Sequence, residues 1–237
     1  MGRRNVDTHL ALHSLVPTWN SDLKIRLKAL ASKNDLRRPH RSRAVQNQKS
    51  ESPRSTVLSR TAHRTDIERC SESRERYRPN PIRILLIAES PPSSGGYFYF
   101  SNTIGRDHLF RETMKTLGLW PRSRKMGKGI DKTPYLRQFM EKKFFLIDTC
   151  ERAVDKLPLK LRTLQISRGA STIARRVLDL DPAKIVIVKK TVFGPVQHAL
   201  TAAGLGKRIL NKRPVPFPSH GHQATYRREL RALTRSS

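Results

Sequence analysis

Four short stretches carry side chains able to do chemistry, and each follows an apolar run or opens a loop. The apolar run Ile84–Ile87 ends in Ala88-Glu89-Ser90-Pro91-Pro92, so a carboxylate stands where a buried strand breaks. The two prolines cannot donate to a sheet ladder, which stops the strand there. In open α/β sheets ligands bind just past the carboxyl ends of the strands; the plainer reading is that Glu89 begins a solvated turn. Next comes the aromatic run Tyr97-Phe98-Tyr99-Phe100. A second apolar run, "FFLIDTC", ends in Asp148-Thr149, and a loop near the C-terminus reads Phe217-Pro218-Ser219-His220-Gly221-His222. A carboxylate, a ring for stacking, a polar group for a base edge and a Ser/His loop are the parts needed to hold an extruded base and direct water at it. Each part also has an ordinary use. The rings can pack under a sheet edge, Asp148 and Ser219 can cap a following segment, and His220 and His222 can be surface loop residues.

These positions make sense only if strands and helices alternate, and from Ile82 onward they do. The strands are "IRILLIA", "KKFFLIDTC" and "KIVIV". Between them, Leu109, Phe110, Thr113, Met114 and Leu117 form one helical stripe with Gly118 as a stop. A second helix runs through "STIARRVLDLDP" and ends at Pro182. A third carries Pro195 in its first turn and Gly204 past its end, and "YRRELRALTR" closes the chain. Strands apolar on both faces, alternating with helices, predict a three-layer α/β/α domain with a mainly parallel sheet over residues 79–237.

Residues 1–78 read differently. From Asn34 to Arg78 the chain is mostly Arg, Ser, Thr, His, Gln and Glu without a sustained period, too poor in apolar surface to offset its ordering entropy. A disordered basic arm is expected, with one short helical patch through Leu23, Leu27 and Leu30. Across the 237 residues, 48 Lys plus Arg outweigh 19 Asp plus Glu, a net charge of +29. Such an excess attracts polyanions, nucleic acid first among them. No apolar run approaches the roughly 18–20 residues of a membrane span, and the N-terminus lacks a secretory apolar core. Two cysteines, Cys70 and Cys150, are too few for a disulfide framework, a tetrahedral zinc site or an iron–sulfur cluster, which fits a cytoplasmic or otherwise intracellular setting. Phosphate-cradle, dinucleotide and nucleophile-elbow motifs are all missing.

The order and character of the segments in residues 82–235 resemble the uracil-DNA glycosylase-like superfamily. Its first-strand motif, Gly-acid/amide-x-Pro-Gly, corresponds to Ala88-Glu89-Ser90-Pro91-Pro92, with the acid and first proline kept and both glycines replaced. The resemblance implies that Glu89 orients water and that one of Tyr97, Phe98, Tyr99 or Phe100 stacks on the base, with Tyr99 or Phe100 favoured. Asp148 stands where the family has an asparagine reading the base edge, and Phe217 where it has a leaving-group histidine. Pro218 and Ser219 match the third motif, and His220 lies three residues beyond Phe217. The implied activity is hydrolysis of the N-glycosidic bond of uracil or another deaminated base, without metal or organic cofactor. DNA is then the partner, with no membrane contact and a monomeric state. Two rivals stay open: an inactive nucleic-acid-binding module of the same fold, and an enzyme acting on free nucleotides or nucleosides.

Overall fold

The three apolar runs become three short strands in a computed structural model that describes residues 66–102, 107–121 and 129–235. They are β1 (Ile84–Ala88), β2 (Phe144–Asp148) and β3 (Lys184–Ile187). The order is β2-β1-β3 and both pairings are parallel, with Ala88 opposite Asp148 and Ile87 opposite Ile187. Every residue of β1 and β2 is buried, as a sheet covered on both faces requires. Six helical segments supply the cover: α1 (66–75), α2 (His108–Thr116), α3 (Thr133–Glu141), α4 (Leu159–Leu180), α5 (Lys190–Ala202) and α6 (Gln223–Arg235). Helix α4 lies along α5, α2 lies along α6, and helices cover both faces of the sheet. The architecture is three-layer α/β/α. No helix among the described residues is long and apolar enough to cross a membrane.

A side chain completes the outer edge of β3. Ile209 and Val215 bridge Ile185 and Val188 in parallel, but the chain between them is not a regular strand. Asn211 fills the gap. Its Oδ1 accepts from Ile187 N at 2.9 Å and its Nδ2 donates to Ile187 O at 2.9 Å. The amide thus replaces a neighbouring backbone and leaves no buried peptide group unpaired there.

Three local expectations change. The folded part begins before residue 79: α1 precedes it, and Tyr77 is buried with its ring 6.1 Å from that of Tyr99. Residues 1–65, with the patch at Leu23, Leu27 and Leu30, lie outside the described residues. Helix α4 starts at Leu159 rather than at Ser171. Its buried stripe is Ile166, Ala170, Ile173 and Val177, while the conspicuous Leu159, Leu161, Leu164 and Leu178 face water. Those exposed leucines hid the stripe's true phase. Pro195 sits inside α5, not in its first turn, because the helix already starts at Lys190.

Gly169 decides how closely α4 approaches the sheet. A Cβ there would lie 2.4 Å from the Thr149 carbonyl oxygen, a backbone atom that cannot step aside. The missing side chain lets α4 rest directly on the backbone that leaves β2 at Thr149.

Candidate functional site

Glu89 and Asp148 come within one residue of sharing a register position, and that single residue separates them. Ala88 pairs with Asp148, so Glu89 is one step further along. The pairing continues past the strands, with Thr149 N donating to Ala88 O at 2.9 Å and Cys150 N to Glu89 O at 2.8 Å. Successive side chains point to opposite faces of a sheet. The two carboxylates therefore look in opposite directions.

Glu89 turns toward α4 and α5 and is held by three side chains. Arg162 of α4 donates Nε to Oε1 at 3.0 Å and Nη2 to Oε2 at 2.5 Å, a two-pronged grip. Lys189 Nζ donates to Oε2 at 2.5 Å and Thr191 Oγ1 to Oε1 at 2.9 Å. An ionised carboxylate has about four acceptor positions, and all four are taken. Burial pushes the Glu89 carboxyl up, but the hydrogen bonds from Arg162, Lys189 and Thr191 outweigh it and hold the group below the usual carboxylate range. As it stands Glu89 is an anchored anion rather than a base with a lone pair turned to a substrate.

Asp148 turns the other way, into a cleft of about 300 Å³. Tyr97, Phe98, Leu146 and Phe217 give the cleft its apolar walls, and Ser90, Asp107 and His108 add polar groups. Asp148 is 4 % exposed, and its Oδ2 has no hydrogen-bond partner among the described residues; neither has the buried Tyr97 hydroxyl. Burial is the largest influence on the Asp148 carboxyl and pushes it up to about 7, with the positive charges of Arg74 and Arg176 pulling the other way. A buried unpartnered oxygen is costly, and a perturbed acid in a cleft makes Asp148 a candidate functional residue.

The cleft's frame is pinned by a buried cation. Lys132 is fully buried; its Nζ donates to Tyr97 O at 2.7 Å and to Asp107 Oδ2 at 2.6 Å, and it lies 4.6 Å from the Phe110 ring centre. Asp107 Oδ1 in turn accepts from Phe110 N and caps α2. One ion pair thus fixes both the Tyr97 loop and the start of α2 against the cleft.

The structure brings Ser90, Asp148 and Phe217 together in this cleft and leaves the other expected residues outside its lining. Tyr99 is a core residue: its hydroxyl donates to Leu146 O at 3.1 Å and accepts from Leu146 N at 2.7 Å, splicing the ring into the edge of β2. Phe100 packs edge-on against Tyr97, and the Arg69 guanidinium lies 4.5 Å over its ring. Tyr97 and Phe98 are the rings of the run that line the cleft. Pro91 is half-buried and Pro218 buried, both outside the lining. His220 is exposed at a left-handed φ of 49°, and its Nδ1 shares a 2.8 Å hydrogen bond with Ser219 Oγ. The loop does not fold His220 back toward Phe217's side of the cleft.

Arg162, Lys189 and Thr191 were not anticipated. Lys189 was findable as the cation directly after the third apolar run. Arg162 was hidden because α4 starts twelve residues before the stretch that looked helical. Lys189 also joins the two faces, since its Nζ lies 5.2 Å from the Phe217 ring centre while it binds Glu89. Compared with known proteins, the chain matches no family model and no curated protein.

Proposed function

We propose that the protein takes a nucleobase turned out of DNA into the Asp148 cleft and hydrolyses its N-glycosidic bond. The observation that carries this reading is the unpartnered Asp148 Oδ2, buried at the floor of an apolar cleft on a strongly basic chain. A flipped base is normally read by hydrogen bonds to its edge and by apolar or aromatic walls, and the cleft offers both. Held neutral, the Asp148 carboxyl presents one donor and one acceptor. That pair complements a lactam edge, a ring N–H beside a C=O, which is what deamination creates in uracil and hypoxanthine. An ionised Asp148 only accepts and would repel the lactam oxygen. Lactam bases should therefore bind best below about pH 7 and weaken as the pH rises through it.

In the reaction the bond from sugar C1′ to the base nitrogen breaks, water adds its hydroxyl to C1′, and its proton ends on the base. Glu89 enters only by releasing a donor, with Lys189 the partner nearest the Phe217 wall. Phe217 offers the departing base no hydrogen bond, so Asp148 and the lactam pairing must carry the leaving group. The uracil-DNA glycosylase-like resemblance supports base-edge reading at the Asp148 position, while the filled Glu89 and the Phe217 position depart from what it implies.

The test is a screen of the purified chain on oligonucleotides bearing uracil or hypoxanthine, read as alkali-labile strand breaks, with deoxyuridine as the free-nucleoside control. Phe217→His should raise base release by supplying a donor to the leaving group. A second reading, base holding without cleavage, is favoured by the filled acceptor positions of Glu89. Lesion-selective binding with no strand breaks by wild type or Phe217→His would establish that reading instead.

A further inference from the structure

A second opening lies at the far end of the sheet from Asp148. It is a slot of about 520 Å³ bordered by the segments that enter β1 and β2 and by the last turns of α2 and α6. Arg83, Lys115, Lys142, Arg231 and Arg235 line it, and no carboxylate does. A shallower groove on the neighbouring face of α6 shares Arg231 and Arg235 and adds Arg227 and Arg228, with Ala224 and Ala232 as a low floor. Helix α6 carries four arginines against one glutamate, Glu229. Arg227, Arg231 and Arg235 recur every four residues, about 6 Å per step along the axis, so like charges stand one above another. Such stacking disfavours an isolated helix, and the internal anions relieve little of it. Arg227 binds Glu112 and Arg228 binds Glu229, while Lys142, Arg231 and Arg235 form no ion pair among the described residues.

We propose that this slot, with the arginine row leading out of it, holds the phosphate backbone of a nucleic acid, a contact separate from base recognition in the cleft. The chemistry favours phosphodiesters over other anions. A membrane-binding face presents apolar side chains for insertion, whereas the two rings here, Trp120 and Phe144, are 3 % and 2 % exposed and form the floor. The same burial denies a base any stacking surface, so the contact is with backbone and carries no sequence preference. The cations instead border a concave path that a charged chain can follow, with the arginines of α6 as its continuation. Because the slot and the cleft lie at opposite ends of the strands, the domain can hold one nucleic-acid segment in the slot while a base from another occupies the cleft.

The experiment compares two triple variants of the full chain, matched in charge. Lys142→Gln/Arg231→Gln/Arg235→Gln removes three of the five cations of the slot; Lys160→Gln/Arg168→Gln/Arg175→Gln removes three exposed cations from α4. Binding of a labelled lesion-free DNA duplex is measured across a salt series, and thermal unfolding confirms that both variants fold. The slot variant should lose about 2 to 3 from the slope of log affinity against log salt, and at least about tenfold in affinity at 0.1 M salt, while the α4 variant stays near wild type. Equal losses in both variants would show only diffuse charge and overturn the proposal. Unchanged DNA binding by the slot variant, with lost binding to polyglutamate or anionic vesicles, would overturn it in favour of those partners. Lesion-containing DNA is left out, so the result stands whether or not the cleft reads a base.

Discussion

At the carboxyl ends of its strands the molecule has two faces built on opposite principles. On the face toward α4 and α5, Glu89 is filled to capacity by Arg162, Lys189 and Thr191 and is kept ionised. On the other face, Asp148 and Tyr97 are buried with unpartnered oxygens, and Asp148 is pushed toward neutrality. The same residue class, one register step apart, is a fully hydrogen-bonded anion in one case and a buried, unpartnered carboxyl in the other. Environment decides the role. Two strong donors stabilise a charge against desolvation, and their absence makes the charge itself the cost.

The largest test of this contrast is Asp148→Asn. The folded chain holds the Asp148 proton to about pH 7, while an unfolded carboxyl gives it up near 3.8. Between those values the native state binds more protons, so stability falls as pH rises from about 4 to about 7. At roughly 1.4 kcal/mol per unit the full span reaches about 4 kcal/mol. The asparagine variant should be more stable than wild type at pH 8 and should lack that slope in denaturant titrations. A parent protein whose stability is flat over this range would remove the case for a strained Asp148.

Glu89→Gln should act in the opposite sense. It leaves Arg162 and Lys189 facing an uncharged amide, and a loss of about 3 kcal/mol is expected, the low end for breaking a buried ion pair. Both cations keep about a fifth of their side-chain surface in water, which moderates the cost. Because its folded carboxyl lies below the ordinary value of 4.5, the Glu89 contribution is complete above that pH and fades as pH drops below it. The glutamine variant should therefore lose stability at neutral pH and show a weaker acid transition. If its melting temperature matches wild type, the network is ornamental.

Smaller effects sharpen the division. Gly169→Ala should cost about 2 kcal/mol by forcing α4 off the Thr149 carbonyl, in the range typical of overpacking. It should disturb the Glu89 side first, readable as a shifted acid transition alongside the lower melting point. Tyr97→Phe removes a buried hydroxyl that lies beside Arg74 and should change fold stability by no more than about 1 kcal/mol, while weakening any ligand that bonds to that hydroxyl. A larger loss of stability in Tyr97→Phe would mean the hydroxyl is already satisfied.

Much of the framework was legible in the sequence because local pattern carries it. Continuous apolar runs bounded by Pro, Gly and polar residues announce buried parallel strands, and the runs at residues 84, 144 and 184 became β1, β2 and β3. The strand ends likewise pointed to Glu89 and Asp148, and the motif order to Ser90 and Phe217. Sequence could not tell Tyr97 from Tyr99. The two alternate along one short run, and only the edge of β2, at Leu146, captures Tyr99 and leaves Tyr97 facing the cleft.

Composition and periodicity by themselves determined the basic character of the chain, the α/β class and which strand ends carry carboxylates. Tertiary structure alone decided what those carboxylates are. Pairing Ala88 with Asp148 sets Glu89 and Asp148 on opposite faces, and a helix twelve residues longer than its visible stripe delivers Arg162 to one of them only. Register and long-range partners fix protonation and accessibility, because a carboxylate's state depends on the charges and water within a few ångströms. None of those neighbours is its neighbour in the chain.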